Sequence, residues 1–293
     1  MRVLPAVIVL LALSLPACSA PEPTAGVDTG TAVAPSSEPG SVPSSEPGSA
    51  PASEPAPPAA DLPAPAGSLP APAQREPGPA VTGEGAAAGP QAPPAGDPHA
   101  DPGAVGVVVN KRRPLTPLDY APAELRLPAV ATAAENALLR PDTAAAVEEM
   151  FAAAEGDGVG LVLVSGYRSY ASQESTYAYW VGQYGDPAGA DTVSARPGYS
   201  EHQTGLAFDI GQSDGACTLV LCFRDTPAAQ WAAANAAEFG FILRYPLGFH
   251  ETTGFSAESW HFRYVGRDVS LAMKAAGTQT LEEHFGLPPA PSY

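Results

Sequence analysis

Two short stretches of the sequence carry residues that could bind a metal ion. The first, SEHQTGLAFDI, has His202 seven residues before Asp209, and the second, ESWHFRY, begins at Glu258 and adds His261. Imidazole nitrogens and carboxylate oxygens are ligands of catalytic zinc, which keeps one position open for water. His202, Asp209 and His261 therefore predict a zinc site. Glu258 is the candidate base that deprotonates the zinc-bound water.

A third stretch, SGYRSYASQ, carries a side chain suited to binding a peptide carboxylate. Arg168 follows a predicted buried strand and a glycine turn, a position from which a side chain projects into a cleft. A guanidinium can bind both oxygens of a carboxylate, so Arg168 could hold the free C-terminus of a peptide. Gln173, five residues later, could add a neutral hydrogen bond.

Each of these stretches, taken alone, also has a purely structural interpretation. A histidine and an aspartate at this spacing often pair or cap within a fold, and a glutamate three residues before a histidine often lies on a solvated face. An isolated arginine in such a turn often forms a surface ion pair. All three stretches occur in one chain, and this combination favours a catalytic site.

The elements that must position these residues are strands and helices in irregular alternation. Strands are predicted at residues 106–110, 160–164, 204–210, 241–246 and 260–265. Helices are predicted at residues 142–154, with Asp142 as the cap, and at 171–184, 226–239 and 268–276. Because no regular βαβ repeat is present, the predicted fold class is α+β. We expect one compact domain over residues 104–287, with a small, mostly antiparallel sheet flanked by helices, and a C-terminal tail at 288–293.

Residues 19–103 have the composition of a disordered linker. They hold 21 of the 35 prolines and no Phe, Tyr or Trp, so they cannot bury enough apolar surface to offset the entropy of ordering. The chain as a whole has a formal net charge of −17. Such a charge excludes the basic footprint of a nucleic-acid-binding protein, and it gives no general attraction to an anionic membrane or wall polymer.

The first 18 residues, MRVLPAVIVLLALSLPAC, resemble a secretory signal peptide. One arginine precedes an apolar run that is too short to span a bilayer comfortably. The final LPAC resembles the lipobox of bacterial lipoproteins, in which the cysteine, here Cys18, receives lipid and becomes the mature N-terminus. We therefore expect a cell-surface lipoprotein anchored to the bacterial cell membrane. The alternative is ordinary secretion, with Cys18 lost together with the signal.

Export also affects how the remaining two cysteines, Cys217 and Cys222, are interpreted. In an oxidising compartment an even pair at this short spacing favours a local disulfide. Two buried free thiols, or half of a metal site, are the alternatives. The sequence holds no further cysteine that could complete a cysteine-rich zinc site, so the disulfide is the preferred prediction.

The blocks SGYRS-x4-Q, SEHQTGLAFDI and ESWHFRYVG, in this order, resemble the signatures of the VanY-type zinc D-alanyl-D-alanine carboxypeptidases. These enzymes belong with the M15 peptidases, in the M15B-like group, and the similarity runs from about Val107 to Gly286. The family often has proline where this chain has Ser259. That difference removes no ligand.

The resemblance implies an enzyme that removes the terminal D-alanine from peptidoglycan stem peptides, with one Zn2+ per chain. We also expect a monomer. The resemblance assigns roles as follows: His202, Asp209 and His261 bind zinc, Glu258 is the general base, Arg168 grips the substrate carboxylate, and Gln173 and Ser200 position the peptide. Arg263 could orient a zinc ligand. His250 and Glu251 could touch the substrate or belong to a surface loop. An L,D-carboxypeptidase acting on tetrapeptide stems and a non-catalytic wall-binding lipoprotein remain as alternatives.

Overall fold

Two of the three predicted metal ligands, Asp209 and His261, lie on the two central strands of one small sheet. The computed structural model describes residues 96–293. Within that range the sheet has four antiparallel strands in the order β1-β2-β4-β3. The strands are β1 (Leu161–Ser165), β2 (Ala207–Gln212), β3 (Phe241–Tyr245) and β4 (Glu258–Tyr264). The predicted α+β class with a small antiparallel sheet is confirmed. The predicted signal peptide, the lipidation site Cys18 and the linker up to residue 95 lie outside the described residues.

Strand register brings the site residues together. Asp209 on β2 pairs directly with His261 on β4, and it also pairs with Ser165 at the end of β1. Because side chains alternate across a strand, Phe208 and Ile210 enter the core while Asp209 faces the opposite side of the sheet. Strand β2 therefore places the polar Asp209 between two buried hydrophobic residues, Phe208 and Ile210.

Helices surround the sheet, and those at residues 141–156, 170–184, 227–235 and 267–276 lie at predicted segments. The helices are α1 (Pro141–Gly156), α2 (Tyr170–Tyr184), α3 (Pro187–Asp191), α4 (Pro227–Asn235), α5 (His250–Thr253), α6 (Arg267–Ala276) and α7 (Leu281–Phe285). Short 3-10 helices occupy Glu201–Thr204, Leu221–Asp225 and Ala236–Phe239. Thr226 caps α4 as predicted, since its hydroxyl accepts a hydrogen bond from the N–H of Ala229 at 3.2 Å. No helix within residues 96–293 has both the length and the apolar character needed to cross a bilayer.

Two predictions for the N-terminal part of the domain were wrong. Helix α1 begins at Pro141 after Arg140, so Asp142 lies in its first turn instead of capping it. Proline suits this first position because it has no N–H to leave unpaired, and the Asp142 carboxylate pairs with Arg140 at 2.6 Å. Residues 106–110 form no strand. Val107 and Val108 instead enter two different hydrophobic clusters.

One main hydrophobic core fixes the sheet against α1. Its fully buried members include Leu139, Val147, Met150, Leu163, Phe208, Ile210 and Phe262. Burying each such side chain stabilises the fold by about 1.5–3 kcal/mol. The face of β2 opposite Asp209 is thus held rigidly.

Residues on both sides of the predicted domain 104–287 contact it. The ring of His99 stacks on Phe285 with centroids 3.9 Å apart, and Asp97 pairs with Arg113 at 2.7 Å. At the other end, the hydroxyl of Tyr293 accepts a hydrogen bond from the backbone N–H of Arg196 at 2.7 Å. The segment predicted as a C-terminal tail therefore lies against the domain.

Candidate metal centre and active site

Three predicted ligands converge at one buried point. One ligand atom from each of His202, Asp209 and His261 lies within 4.8 Å of the others. Oδ2 of Asp209 lies 3.5 Å from Nε2 of His202, and Oδ1 lies 3.2 Å from Nδ1 of His261. The carboxylate thus stands between the two imidazoles, and all three side chains are buried.

A 3-10 helix followed by a tight turn produces the spacing between His202 and Asp209. His202 lies in the helix Glu201–Thr204, which ends at Gly205 with φ of +69°. This left-handed conformation suits glycine because it has no Cβ. Strand β2 starts two residues later, at Ala207 and not at the predicted residue 204. The turn therefore leads the chain from one ligand to the strand that carries the next.

The hydrogen bond at His202 leaves one ring nitrogen free for a metal. Nδ1 lies 2.8 Å from the carbonyl oxygen of Gly166, which can only accept a hydrogen bond. Nδ1 therefore carries the proton, and the lone pair of Nε2 points toward Asp209. Gly166 permits this contact because a Cβ on it would lie 2.5 Å from the carbonyl oxygen of Leu138.

The charge states of His202 and Asp209 suit cation binding. Burial lowers the pKa of His202 to about 3, against the opposing effect of Asp209, so this ring is neutral. Burial raises the pKa of Asp209, but the histidines and the Ser165 hydroxyl, which donates to Oδ2, hold it well below its usual range. A neutral imidazole and an ionised carboxylate are the forms that bind metals.

His261 and Glu258 titrate differently from free side chains. Burial lowers the pKa of His261, but the nearby carboxylates of Asp209, Glu201 and Glu258 outweigh burial and raise it to about 9. Burial raises the pKa of Glu258 to about 7, with His261 and Arg168 opposing. The Glu258 carboxylate lies 3.7 Å from Nδ1 of His261, and its side chain is 18% exposed. A carboxylate with a pKa near neutral is suited to general acid–base work.

An unpaired buried oxygen tests whether the residues fit a metal. Oδ1 of Asp209 is buried and has no hydrogen-bond partner among residues 96–293, although it faces the gap between the two histidines. Such an atom is costly unless a cation or donor satisfies it. Two imidazole nitrogens and one carboxylate oxygen, with a fourth position open, are the donor set of a catalytic zinc site. The residues therefore fit zinc.

Sequence reasoning missed a carboxylate that contacts this site, that of Glu201. Its Oε1 accepts hydrogen bonds from Nε of Arg244 and Nη1 of Arg263, each at 2.9 Å. Its Oε2 lies 3.6 Å from Nε2 of His261, the ring nitrogen that points away from Asp209. Burial raises the pKa of Glu201, but the two arginines hold it well below its usual range. Glu201 thus presents a negative charge to the outer side of His261.

A signal for Glu201 existed in the sequence. Arg244 and Arg263 lie within predicted strands, and a charged side chain in the core almost always has a charged partner. Arg263, which from the sequence alone could orient a zinc ligand, contacts Glu201 and the carbonyl oxygens of Val105 and Val107. Its effect on His261 therefore passes through Glu201.

Arg168 stands at the edge of the ligand cluster, and Gln173 holds it there. Nη1 of Arg168 donates to Oε1 of Gln173 at 3.0 Å, and its backbone N–H donates to the carbonyl oxygen of His202. Nε2 of Gln173 donates to Ala195 at 2.7 Å and to Ser194 at 3.3 Å. Gln173 is 1% exposed, so it can act on a peptide only through Arg168.

The remaining predicted residues lie around the site. Ser200 is 3% exposed and precedes the 3-10 helix of His202, which leaves its hydroxyl little surface for a peptide. His250 and Glu251 are exposed and pair with each other at 2.9 Å. The structure brings the Sγ atoms of Cys217 and Cys222 to bonding distance, with Cα atoms 5.5 Å apart.

Comparison with known proteins relates this geometry to a family. A family model described as VanY, D-alanyl-D-alanine carboxypeptidase, matches residues 136–267. The bifunctional D-Ala-D-Ala dipeptidase and carboxypeptidase VanXYC of Enterococcus gallinarum is 36% identical over 179 residues, which are 60% of this chain and 91% of the relative. Three other curated relatives are matched over 45% to 66% of their own length.

Solved structures agree with the sequence match. The LdcB LD-carboxypeptidase is 37% identical with a TM-score of 0.59, and the match covers 63% of this chain and 87% of that one. The D,D-pentapeptidase VanY from a VanB-type resistance cassette, solved as a mutant with Zn(II), is 30% identical with a TM-score of 0.52, and the match covers 61% and 97%. Nearly the whole of VanXYC aligns with this chain, and the family model spans both ligand strands, so the chain belongs to the VanY family of M15 peptidases.

Proposed function

We propose that the protein is an exported zinc carboxypeptidase that removes the C-terminal D-alanine from peptidoglycan stem peptides. The observation that carries the proposal is the buried cluster of His202, Asp209 and His261, with Glu258 and Arg168 beside it. The activities named for VanXYC and LdcB support the same substrate class.

The zinc ligands, Glu258 and Arg168 have separate roles in the proposed reaction. A zinc ion held by the three ligands would supply Lewis-acid chemistry, polarising the scissile carbonyl and activating water. Glu258 takes the proton from the attacking water and delivers it to the departing amine of D-alanine. Arg168 binds the terminal carboxylate of the peptide and so places the last peptide bond beside Glu258. Burial lowers the pKa of Arg168, while the charges of Asp209 and Glu258 raise it.

Hydrolysis of synthetic muropeptides tests the proposal. The purified chain with zinc is given one peptide ending in D-Ala-D-Ala and another ending in L-Lys-D-Ala or its diaminopimelate equivalent. Mass spectrometry follows the loss of D-alanine with and without a chelator. We expect loss from the pentapeptide that the chelator abolishes. Zinc-bound protein that cleaves neither peptide would favour a non-catalytic wall-binding lipoprotein.

L,D-carboxypeptidase activity is the second candidate. The solved LD-carboxypeptidase shares more identical residues with this chain than the solved VanY does. The zinc ligands and Arg168 serve either reaction, because both remove one terminal residue with a free carboxylate. Loss of D-alanine from the tetrapeptide alone would assign this activity.

Glu201→Gln is expected to lower the affinity for zinc by about 10- to 100-fold. Glutamine keeps the size of the side chain but removes the negative charge that faces Nε2 of His261. Without that charge, the His261 ring loses the electrostatic attraction that keeps Nε2 on the Glu201 side and Nδ1 on the Asp209 side. Competition with a chromogenic chelator measures the zinc dissociation constant.

Glu282→Gln is the matched control. Glu282 is also buried and accepts hydrogen bonds from Arg244 at 2.8 and 3.0 Å, but its described bonds go to Arg244 and Asn110, not to His261. Both variants should lower the thermal stability of the metal-free protein, and only Glu201→Gln should weaken zinc binding. An equal loss of zinc affinity in both would show that the charge network acts through folding alone.

Export and anchoring form the last part of the proposal. The segment MRVLPAVIVLLALSLPAC supports a signal peptide with lipid on Cys18. A compartment outside the cytoplasm would also keep Cys217 and Cys222 oxidised. Fatty-acid labelling of the wild type beside Cys18→Ala tests the anchor, and unlabelled wild-type protein in the culture fluid would overturn it.

A further inference from the structure

The segment of residues 213–226, which connects β2 to α4, contains a small loop closed by Cys217 and Cys222. The Sγ atoms of this pair are at bonding distance. The 3-10 helix Leu221–Asp225 begins inside the closed loop and packs against β4. The pair therefore closes a loop directly beside the strand that begins with Glu258.

The start of β4 extends past its pairing with β2 and so depends on other neighbours. Pairing between β2 and β4 ends at Asp209 and His261. Residues 258–260 continue beyond that point. On the other side, Glu258 pairs with Tyr245 past an irregularity in the register of β3 and β4. The segment that follows β2 is thus placed to support the end of β4 where β2 does not.

Leu221 and Phe223 show what this segment touches. Leu221 is 51% exposed and shares the wall of a cavity of about 560 Å³ with Ser256 and Ala257, which directly precede Glu258. Phe223 is fully buried in the main core. The core therefore fixes the later part of the 3-10 helix, whereas the position of Leu221 depends on the closed loop.

The backbone of the closed loop is strained. Cys217 has a φ of +56° and Leu219 a φ of +54°, and they are the only non-glycine residues with positive φ among residues 96–293. This left-handed conformation is unfavourable for a residue with a Cβ and persists only where the surrounding structure enforces it. A backbone hydrogen bond from Val220 to Cys217 spans the same turn, but at 3.3 Å it is long. A covalent bond across the loop is the stronger constraint.

A small thiol can reach the bond between the two cysteines. Cys222 is exposed and Cys217 is half-buried. A thiolate attacks Sγ of Cys222 and forms a mixed disulfide, and Cys217 leaves as a thiolate that takes up a proton. A second thiol attacks the small-molecule sulfur of the mixed disulfide and releases Cys222, which is also protonated. Two thiols are thus oxidised to one small disulfide, and the protein gains two electrons and two protons.

We propose that the Cys217–Cys222 disulfide is a redox-sensitive switch: when closed it holds the loop against the start of β4, and when reduced it lets the loop relax and displaces Glu258. The inference rests on the proposed function of an exported enzyme. Asp209 and His261 pair directly across the sheet, so the ligands keep their places. Activity therefore follows the redox state of the compartment, and zinc binding does not.

The equilibrium of the pair with glutathione tests the strain. The zinc-loaded chain carrying Cys18→Ala is held in glutathione buffers of graded ratio, and alkylation with mass spectrometry counts the free thiols. We expect Leu219→Gly to shift the equilibrium toward the disulfide by about fivefold, because glycine adopts the left-handed conformation freely. The greater freedom of glycine in the open loop offsets only part of this gain. Leu219→Ala, which shortens the side chain but keeps the Cβ, is the matched control and should shift the equilibrium little.

Hydrolysis of the muropeptides tests the consequence for catalysis. Cys217→Ala/Cys222→Ala should lower kcat by about 10- to 100-fold with zinc still bound, because a small displacement of a reacting group is costly. Cys217→Gly/Leu219→Gly/Cys222→Ala should recover activity, since its loop can hold the same form without the bond. A disulfide that only stabilised the fold predicts the opposite order, because added glycines favour the unfolded chain.

Equal equilibrium constants for Leu219→Gly and Leu219→Ala would overturn the switch, as would wild-type kcat in the Cys217→Ala/Cys222→Ala protein. The glutathione equilibrium requires no hydrolysis. An oxidised wild type that cleaves neither muropeptide would reject the proposed function, and the equilibrium would still decide whether the disulfide holds the loop under strain.

Discussion

Glu258→Gln is expected to lower kcat by about 10²–10⁴-fold while zinc remains bound. Glutamine retains the shape of the side chain but cannot take a proton from water at neutral pH. The effect on KM should be small, because Arg168 and the zinc ligands are unchanged. Steady-state hydrolysis of the pentapeptide together with metal analysis of the purified variant checks both parts.

The position of Glu258 explains why the Glu258→Gln variant should lose activity but retain zinc. Its carboxylate lies 3.7 Å from Nδ1 of His261, beside the ligand cluster and not within it. His261→Gln is the contrasting variant, since it should lose zinc and activity together. A Glu258→Gln protein with wild-type kcat would remove the proposed base from the mechanism.

The clustered residues His202, Asp209 and His261 could be predicted from the sequence because each lies in a local pattern. Phe208 and Ile210 alternate with Asp209, so a strand with one polar position was a sound prediction, and the structure confirms that strand from Ala207. Its predicted start at residue 204 was wrong because Gly205 adopts a left-handed conformation that ends a 3-10 helix. A single glycine gives little indication of the sign of its φ angle.

The residues that hold the clustered side chains in place could not be predicted, because they come from distant parts of the sequence. Glu201 pairs with Arg244 and Arg263, which lie 43 and 62 residues away in the sequence. No local sequence pattern predicts pairs at such separations. The role of Gln173 in holding Arg168 could not be predicted either, because Ala195, whose carbonyl oxygen accepts a hydrogen bond from the Gln173 amide, lies on a loop 22 residues away. Local patterns therefore identify the residues that cluster, and the tertiary structure identifies the residues that hold them in place.

Arg168→Met is expected to lower kcat/KM for a peptide with a free C-terminus by about 10²–10³-fold. Truncating one partner of a buried, hydrogen-bonded charge pair costs about 2–5 kcal/mol. A C-terminal amide on the peptide should cost the wild type a similar factor, because it removes the other partner. The Arg168→Met protein should then barely distinguish the acid from the amide, and kcat/KM for all four combinations measures the coupling.

The pH profile separates this role from a structural one. The charge of Arg168 lowers the pKa of Glu258, which stands at about 7 with that charge in place. Without it the pKa of Glu258 rises, so the acidic limb of kcat should move to higher pH in Arg168→Met. Gln173→Leu keeps the arginine charge but removes its acceptor, and it should raise KM with little shift of that limb. If Arg168→Met lost activity equally on acid and amide peptides, with an unmoved pH profile, Arg168 would serve the fold and not the substrate.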